Sequence, residues 1–267
     1  MGDGSEFISK QSIVEIFGIK SWFASILMQA MKINKLNRFH NSLLPYDTTV
    51  QLFQKALDKL NIGVHFDISF LDELQGKPFI TCSNHVFGVL DGIVFIESIG
   101  KKYPKYKINA NVLLSNSIPS NTIPVNSFDP KKRKRKSLGA LKASLDWIEL
   151  GNPVGLFPAG KVATQYKGSR EITDRPWNTS VFQLIRKAEV PVIPIYIEGT
   201  NSKWFHFLGR WIHPLFRTFR TFKEFFNKKN SMIKIEPGVI IYPDEYLKYE
   251  TDQEMCDFIR EKVFSLK

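Results

Sequence analysis

From Val64 onward the chain is punctuated by short apolar runs: VHFDISF (64–70), KPFITCS (77–83), INANVLLS (108–115), NPVGLF (152–157), VPVIPIYIEG (190–199) and SMIKIEPGVII (231–241). They are the length of buried strands and too short for buried helices. Between them lie segments of helical period: GIVFIESIGKKY (92–103), SLGALKASLDWIEL (137–150) and VFQLIRKA (181–188). Gly151 stops the second of these. Strands alternating with helices predict an α/β layered domain around a mostly parallel or mixed central sheet flanked by helices. The tail TDQEMCDFIREKVFSL (251–266) reads as a closing helix, with Thr251 and Glu254 spaced as a capping box. Before residue 63 the pattern is helical throughout, as in QLFQKALDKL (51–60).

The expected organisation is therefore a helical arm over residues 8–62 and one α/β domain over 63–267. Residues 1–7, MGDGSEF, contain Gly-Ser-Glu-Phe, which two adjacent cloning sites encode, and are expected to stand outside the fold. No segment reads as a membrane span. SWFASILMQAMKI (21–33) is broken by Gln29 and Lys32, whereas a span needs about 20 apolar residues. Two distant cysteines, Cys82 and Cys256, exclude a disulfide framework and a zinc spacing, and fit a reducing cytoplasm. The formal charge of +11 favours anionic partners, among them lipid surfaces, phosphorylated metabolites and nucleic acid.

In an open α/β sheet, ligands gather outside the carboxyl ends of the strands. Two loops directly follow apolar runs. One is SNHVFGVLDG (83–92), which carries His85 and Asp91. A base that takes a proton from a hydroxyl needs a fixed tautomer, and a carboxylate supplies it. Six positions along one helix would swing Asp91 away from His85, so the two meet only if a turn precedes the helix, which Gly88 permits. A capping or loop role is the plainer alternative. The other loop is FPAGK (157–161), whose glycine turn and lysine suit an oxyanion but lack the P-loop pattern. VPVIP (190–194) holds two prolines, which place its strand at a sheet edge or a strand end.

Together these blocks resemble the glycerolipid acyltransferase superfamily, which includes the 1-acylglycerol-3-phosphate acyltransferases; the resemblance runs from about Lys77 to Ile241. It implies that His85 is the general base and Asp91 its partner. It also implies that Asn84, Gly88, Phe157, Pro158, Gly160, Lys161, Arg170, Pro191 and Pro194 help bind substrate. Two departures stand out. Five residues separate His85 from Asp91 where the usual motif has four, and Lys161 stands where a glutamate is usual. The longer block, with DRPW (174–177), GTNS (199–202) and FFNKK (225–229), is similar to a bacterial hemolysin-like subgroup and to O-acyltransferases that complete ornithine or glycine lipids. The implied co-substrate is an acyl-ACP or acyl-CoA thioester, with no cofactor and no metal. The implied acceptor is a lyso-lipid such as 1-acylglycerol-3-phosphate, or instead a lyso-ornithine or lyso-glycine aminolipid. A Cys82–His85 acyl-enzyme is disfavoured, because Cys82 falls inside a buried-strand pattern.

Membrane contact is expected from two places. KKRKRK (131–136) suits an anionic bilayer or an acidic carrier protein. The aromatic stretch from Lys203 to Lys229 places Trp204, Trp211, Phe216, Phe219 and Phe222 among Arg217 and Arg220, the composition of an interfacial helix. A helix packed into the core is the alternative. The implied location is the cytoplasmic face of a bacterial inner membrane, peripheral or monotopic. The rival from another class is a non-catalytic basic protein that binds anionic lipid or nucleic acid, but no nucleic-acid motif is present and no nucleic-acid partner is expected.

Overall fold

The apolar runs pair side by side into a sheet in the computed structural model, which describes residues 6–30, 32–74, 76–125, 133–165, 171–206 and 214–267. Four helices come first: α1 (Lys10–Phe17), α2 (Ser21–Ala30), α3 (Ile33–Asn41) and α4 (Thr49–Lys59). Next come β1 (Gly63–Phe66), β2 (Ile80–Ser83), α5 (Val89–Gly100), β3 (Lys107–Asn111), the single turn α6 (Val112–Ser115) and β4 (Thr122–Val125). They are followed by α7 (Arg133–Glu149), β5 (Val154–Leu156), β6 (Thr164–Gln165), β7 (Ile172–Thr173), α8 (Thr179–Ala188) and β8 (Val192–Ile197). The chain closes with α9 (Pro214–Asn227), β9 (Met232–Pro237), α10 (Pro243–Leu247) and α11 (Asp252–Phe264).

Seven strands order as β1-β9-β8-β2-β5-β3-β4, and β6 with β7 forms a separate antiparallel pair. Within the large sheet only β8 and β9 run antiparallel, so this is the expected mixed sheet of a layered α/β fold. Helices α4 and α5 cover one face through Leu57, Leu90, Val94 and Phe95. Helices α7, α8 and α11 cover the other through Ile148, Phe182, Ile185 and Ile259. A fully buried side chain such as Phe95 contributes about 1.5–3 kcal/mol. A third cluster joins α1, α2 and α3 to α9, with Ile13, Ala24, Ile33 and Phe222 at its centre.

Several expectations are corrected here. VHFDISF leaves the sheet after Phe66, because the Asp67 carboxylate accepts the Ser69 N–H (2.9 Å) and turns the chain into a 3₁₀ segment. INANVLLS stops pairing at Asn111: the short β5 reaches only Lys107 and Ile108, and the chain coils into α6. The two prolines of VPVIP do not put their strand at an edge, since β8 lies between β9 and β2. Its pairing with β9 is interrupted where Pro194 sits, between the Val192–Ile241 bridge and the Ile195–Pro237 pair. Val192 N–H points toward Ile241, so the ring nitrogen two residues on faces the same interruption and no ladder bond is lost. Phe7 does not stand outside the fold: its ring lies 4.8 Å from that of His40, and its carbonyl accepts the Ser117 hydroxyl.

The aromatic helix is also corrected in part. Phe222 is 3% exposed and packs among α1, α2 and α3, while Phe226 meets the Phe39 ring edge-on at 5.3 Å. The apolar side of α9 at these positions is covered by the arm and is not open to lipid. Helical amphipathicity reports a need for burial, not what does the burying. Arg220 is part-buried, with its Nε enclosed. Trp204 is 65% exposed. Trp211 and Lys131 to Lys132 lie outside the described residues, as do the side chains of Phe216, Arg217, Phe219 and the rest of KKRKRK.

Candidate active site

Both loops that follow β2 and β5 emerge at one edge of the sheet because those strands are parallel neighbours. The turn that Gly88 was expected to permit is present. Gly88 has φ 84° and ψ −110° and stands just before α5. A side chain there would be strained by φ alone, and a Cβ would also lie 2.7 Å from Thr221 Cγ2 of α9. Asp91 is then in the first turn of the helix. Its carboxylate accepts the backbone N–H groups of Phe87 (3.0 Å) and Gly88 (3.0 Å), donors that would otherwise be orphaned at the helix start. The same carboxylate lies 2.8 Å from Nδ1 of His85. Capping and pairing, two alternatives on paper, are both carried out by one group.

His85 is held from several sides. Its Nδ1 donates to Asp91, which leaves Nε2 as the lone-pair nitrogen. Its ring stacks on Phe157 at 4.6 Å, and Phe157 stacks in turn on Phe95 at 5.5 Å. Its carbonyl accepts Ala163 N–H (2.6 Å), just beyond the FPAGK block. Its N–H donates to the Asp174 carboxylate (3.1 Å), whose other oxygen accepts the Trp177 indole N–H (3.0 Å). Asp174 is 3% exposed, and burial pushes its pKa up from the ordinary carboxylate value. Asn201 donates to the Val86 carbonyl (2.9 Å), so the loop of GTNS also grips the turn. The Ser202 hydroxyl and N–H donate to buried Glu224 at 2.6 and 2.9 Å, which ties that loop to α9.

The remaining expected residues divide clearly. Phe157, Gly160 and Lys161 are brought to the His85 edge: Gly160 takes a left-handed turn at φ 60°, and Lys161 is half-buried beside Val162. Pro158 is buried, and its carbonyl accepts Asn178 N–H. Asn84 clamps β2 to β8, its amide oxygen accepting Ile197 N–H (2.7 Å) and its amide nitrogen donating to Ile197 O (2.9 Å). Pro191 and Pro194 are not brought to His85. Pro191 bonds to Ile80 at the start of β2, and Pro194 pairs with Cys82 within the sheet, because parallel strands carry their beginnings to the far edge. The part of that segment which reaches the site is its end, Ile197 to Asn201. Arg170 lies outside the described residues.

Cys82 is wholly buried, and desolvation pushes its thiol far above the ordinary value, so it offers no nucleophile beside His85. Asp174, Asn201 and Glu224 are the residues that single-residue reasoning overlooked. The only signal for the first two was that DRPW and GTNS stood out as blocks. Lys228 adds a cation, its ammonium 4.4 Å from the Phe87 ring centroid and donating to Thr200 O (2.7 Å), with burial lowering its pKa.

The sequence profile of a family described as acyltransferase matches residues 29–267. Among curated proteins, the chain is 23% identical over 192 residues to the lyso-glycine lipid O-acyltransferase of Phocaeicola vulgatus. That alignment covers 69% of this chain and 66% of the relative's length. Among solved structures, the 1-acyl-sn-glycerophosphate (LPA) acyltransferase PlsC of Thermotoga maritima aligns with a TM-score of 0.46 and 13% identity, over 96% of this chain and 90% of that one.

Proposed function

Since the chain belongs to the acyltransferase family, we propose that it moves a fatty acyl group from an acyl-ACP or acyl-CoA thioester to the hydroxyl of a lyso-lipid, with His85 as general base. The observation that carries this reading is the 2.8 Å contact between His85 Nδ1 and Asp91, held at the carboxyl edge of β2. Nε2 takes the proton from the acceptor hydroxyl as that oxygen attacks the thioester carbonyl carbon. Asp91 favours the imidazolium that forms. Collapse of the tetrahedral intermediate breaks the C–S bond, and the imidazolium returns its proton to the departing thiolate. The product is an ester and a free thiol.

For the acceptor, 1-acylglycerol-3-phosphate is the first candidate on the motif order. A lyso-aminolipid is favoured by the name of the Phocaeicola relative, and Lys161 stands in place of the usual glutamate. A cation there suits an anionic head group, whether phosphate or carboxylate. Residence at a membrane surface is supported by α2, which exposes Trp22 (64%), Ile26 (53%) and Phe23 (42%) while Ala24 and Met28 pack inward. No helix among the described residues is long and apolar enough to cross a membrane.

Mass spectrometry of lipids from cells with and without the gene tests the acceptor. Loss of the gene is expected to raise one lyso species: lysophosphatidate for the phosphate reading, a monoacylated amino acid for the other. An unchanged lyso-lipid profile would count against both. In vitro, His85→Ala protein should fold and transfer acyl groups about 10²–10⁴-fold more slowly.

A further inference from the structure

The block FFNKK (225–229) closes α9, and its first lysine turns back toward the site. Phe225 is 2% exposed and fixes the end of the helix in the core, and Lys228 N–H donates to Phe225 O (3.2 Å) in the turn that follows. The Lys228 ammonium donates to Thr200 O (2.7 Å) and lies 4.4 Å from the Phe87 ring centroid. That ring is buried and also lies against Gly199, where a Cβ would come within 2.7 Å of Phe87 Cζ. The Phe87 ring is thus seated between a cation and a backbone that carries no side chain. Phe87 N–H, for its part, lies 3.1 and 3.0 Å from the two carboxylate oxygens of Asp91. Burial lowers the Lys228 pKa, with the charges of Glu224 and Asp91 acting the other way. Keeping a cation half-buried is costly, and here the carbonyl and the aromatic face offset that cost.

We propose that Lys228 is a positioning residue for acyl transfer: it latches the Phe87 ring against the 199–201 loop, and through Phe87 N–H it holds the Asp91 carboxylate in place against His85. Lys228 touches neither partner of the dyad and acts through the backbone between them. The catalytic consequence rests on the reading of His85 as base, whereas the latch itself does not.

Hydrogen exchange on the whole protein without substrate tests the latch. In Lys228→Met the Phe87 amide should exchange about tenfold faster, with the Ile108 amide of β3 unmoved, and Lys228→Arg should exchange like the parent. Unchanged exchange at Phe87, equal acceleration at Ile108, or an arginine variant no slower than the methionine one would overturn it. Should Lys228→Met not fold, Lys228→Gln keeps a donor for Thr200 O without a cation over the ring. The same faster exchange is expected there, and parental exchange would overturn the latch. Acyl transfer is read with oleoyl-CoA and, in parallel, lysophosphatidate and a monoacylated glycine. In Lys228→Met, kcat should fall about tenfold at an unchanged acceptor KM, and Lys228→Arg should restore it. A raised KM at parental kcat would make Lys228 a head-group ligand and overturn the positioning role. In a Phe87→Leu background, Lys228→Met should slow the reaction no further, and an undiminished effect would overturn the route through Phe87. His85→Ala at parental rate would instead sink the base reading and with it the catalytic consequence, while the exchange result stood.

Discussion

Two histidines in this chain have nearly the same immediate surroundings. The His85 ring lies 4.6 Å from Phe157, and its Nδ1 is 2.8 Å from a carboxylate oxygen of Asp91. The His40 ring lies 4.8 Å from Phe7, and its Nε2 is 2.7 Å from the hydroxyl of Tyr46. The difference is in the partner's charge and in the place. Asp91 can stabilise an imidazolium, whereas a phenol beside His40 cannot, and burial lowers the His40 pKa. His85 ends a strand at the open edge of a parallel sheet, while His40 closes a helix against the core. An aromatic neighbour and a hydrogen bond do not make a base. A carboxylate and an open sheet edge are the additions that point to one.

The contrast can be broken most severely at His85 itself. His85→Ala should lower acyl transfer by about 10²–10⁴-fold with an unchanged melting temperature, whereas His40→Ala should keep its rate and melt lower. Equal loss of rate in the two would erase the distinction. Asp91→Asn comes next: it should lose about 10²-fold or more in rate and about 1 kcal/mol in stability, because the same carboxylate caps α5. A variant that lost stability alone would reduce Asp91 to a cap. Gly88→Ala should cost about 1–3 kcal/mol, measured by denaturant unfolding, since its backbone conformation is closed to alanine.

The smallest effect is at His40. Its folded pKa lies below the ordinary 6.5, so the unfolded chain binds more protons between the two values. Its contribution to stability is therefore present above pH 6.5 and is lost as pH falls toward the folded value. His40→Gln should flatten that part of the stability–pH curve, and an unaltered slope would show that other groups set it.

The layered sheet was legible because strand length and helical period are local properties. The capping box at Thr251 was legible for the same reason, and there Glu254 accepts the Thr251 N–H (3.0 Å). VPVIP left a sheet edge or a strand end open; Pro191 stands at the strand's start and Pro194 inside it, since what a proline forbids depends on which way its missing N–H points. The aromatic helix was ambiguous in sequence. Its Phe222 side found its cover in the arm, a contact between segments far apart in the chain.

At the site, the sequence alone determined that His85 and Asp91 follow a buried strand, that a glycine between them allows a turn, and that FPAGK follows another such strand. It could not determine whether the turn forms, because a six-residue separation is compatible with side chains facing apart. The tertiary structure decided it. The turn is held where Asp91 accepts two backbone N–H groups, Asp174 anchors His85 N–H, and Asn201 holds Val86. Asp174 and Asn201 lie far along the chain from His85, and only folding brings such partners within hydrogen-bond reach.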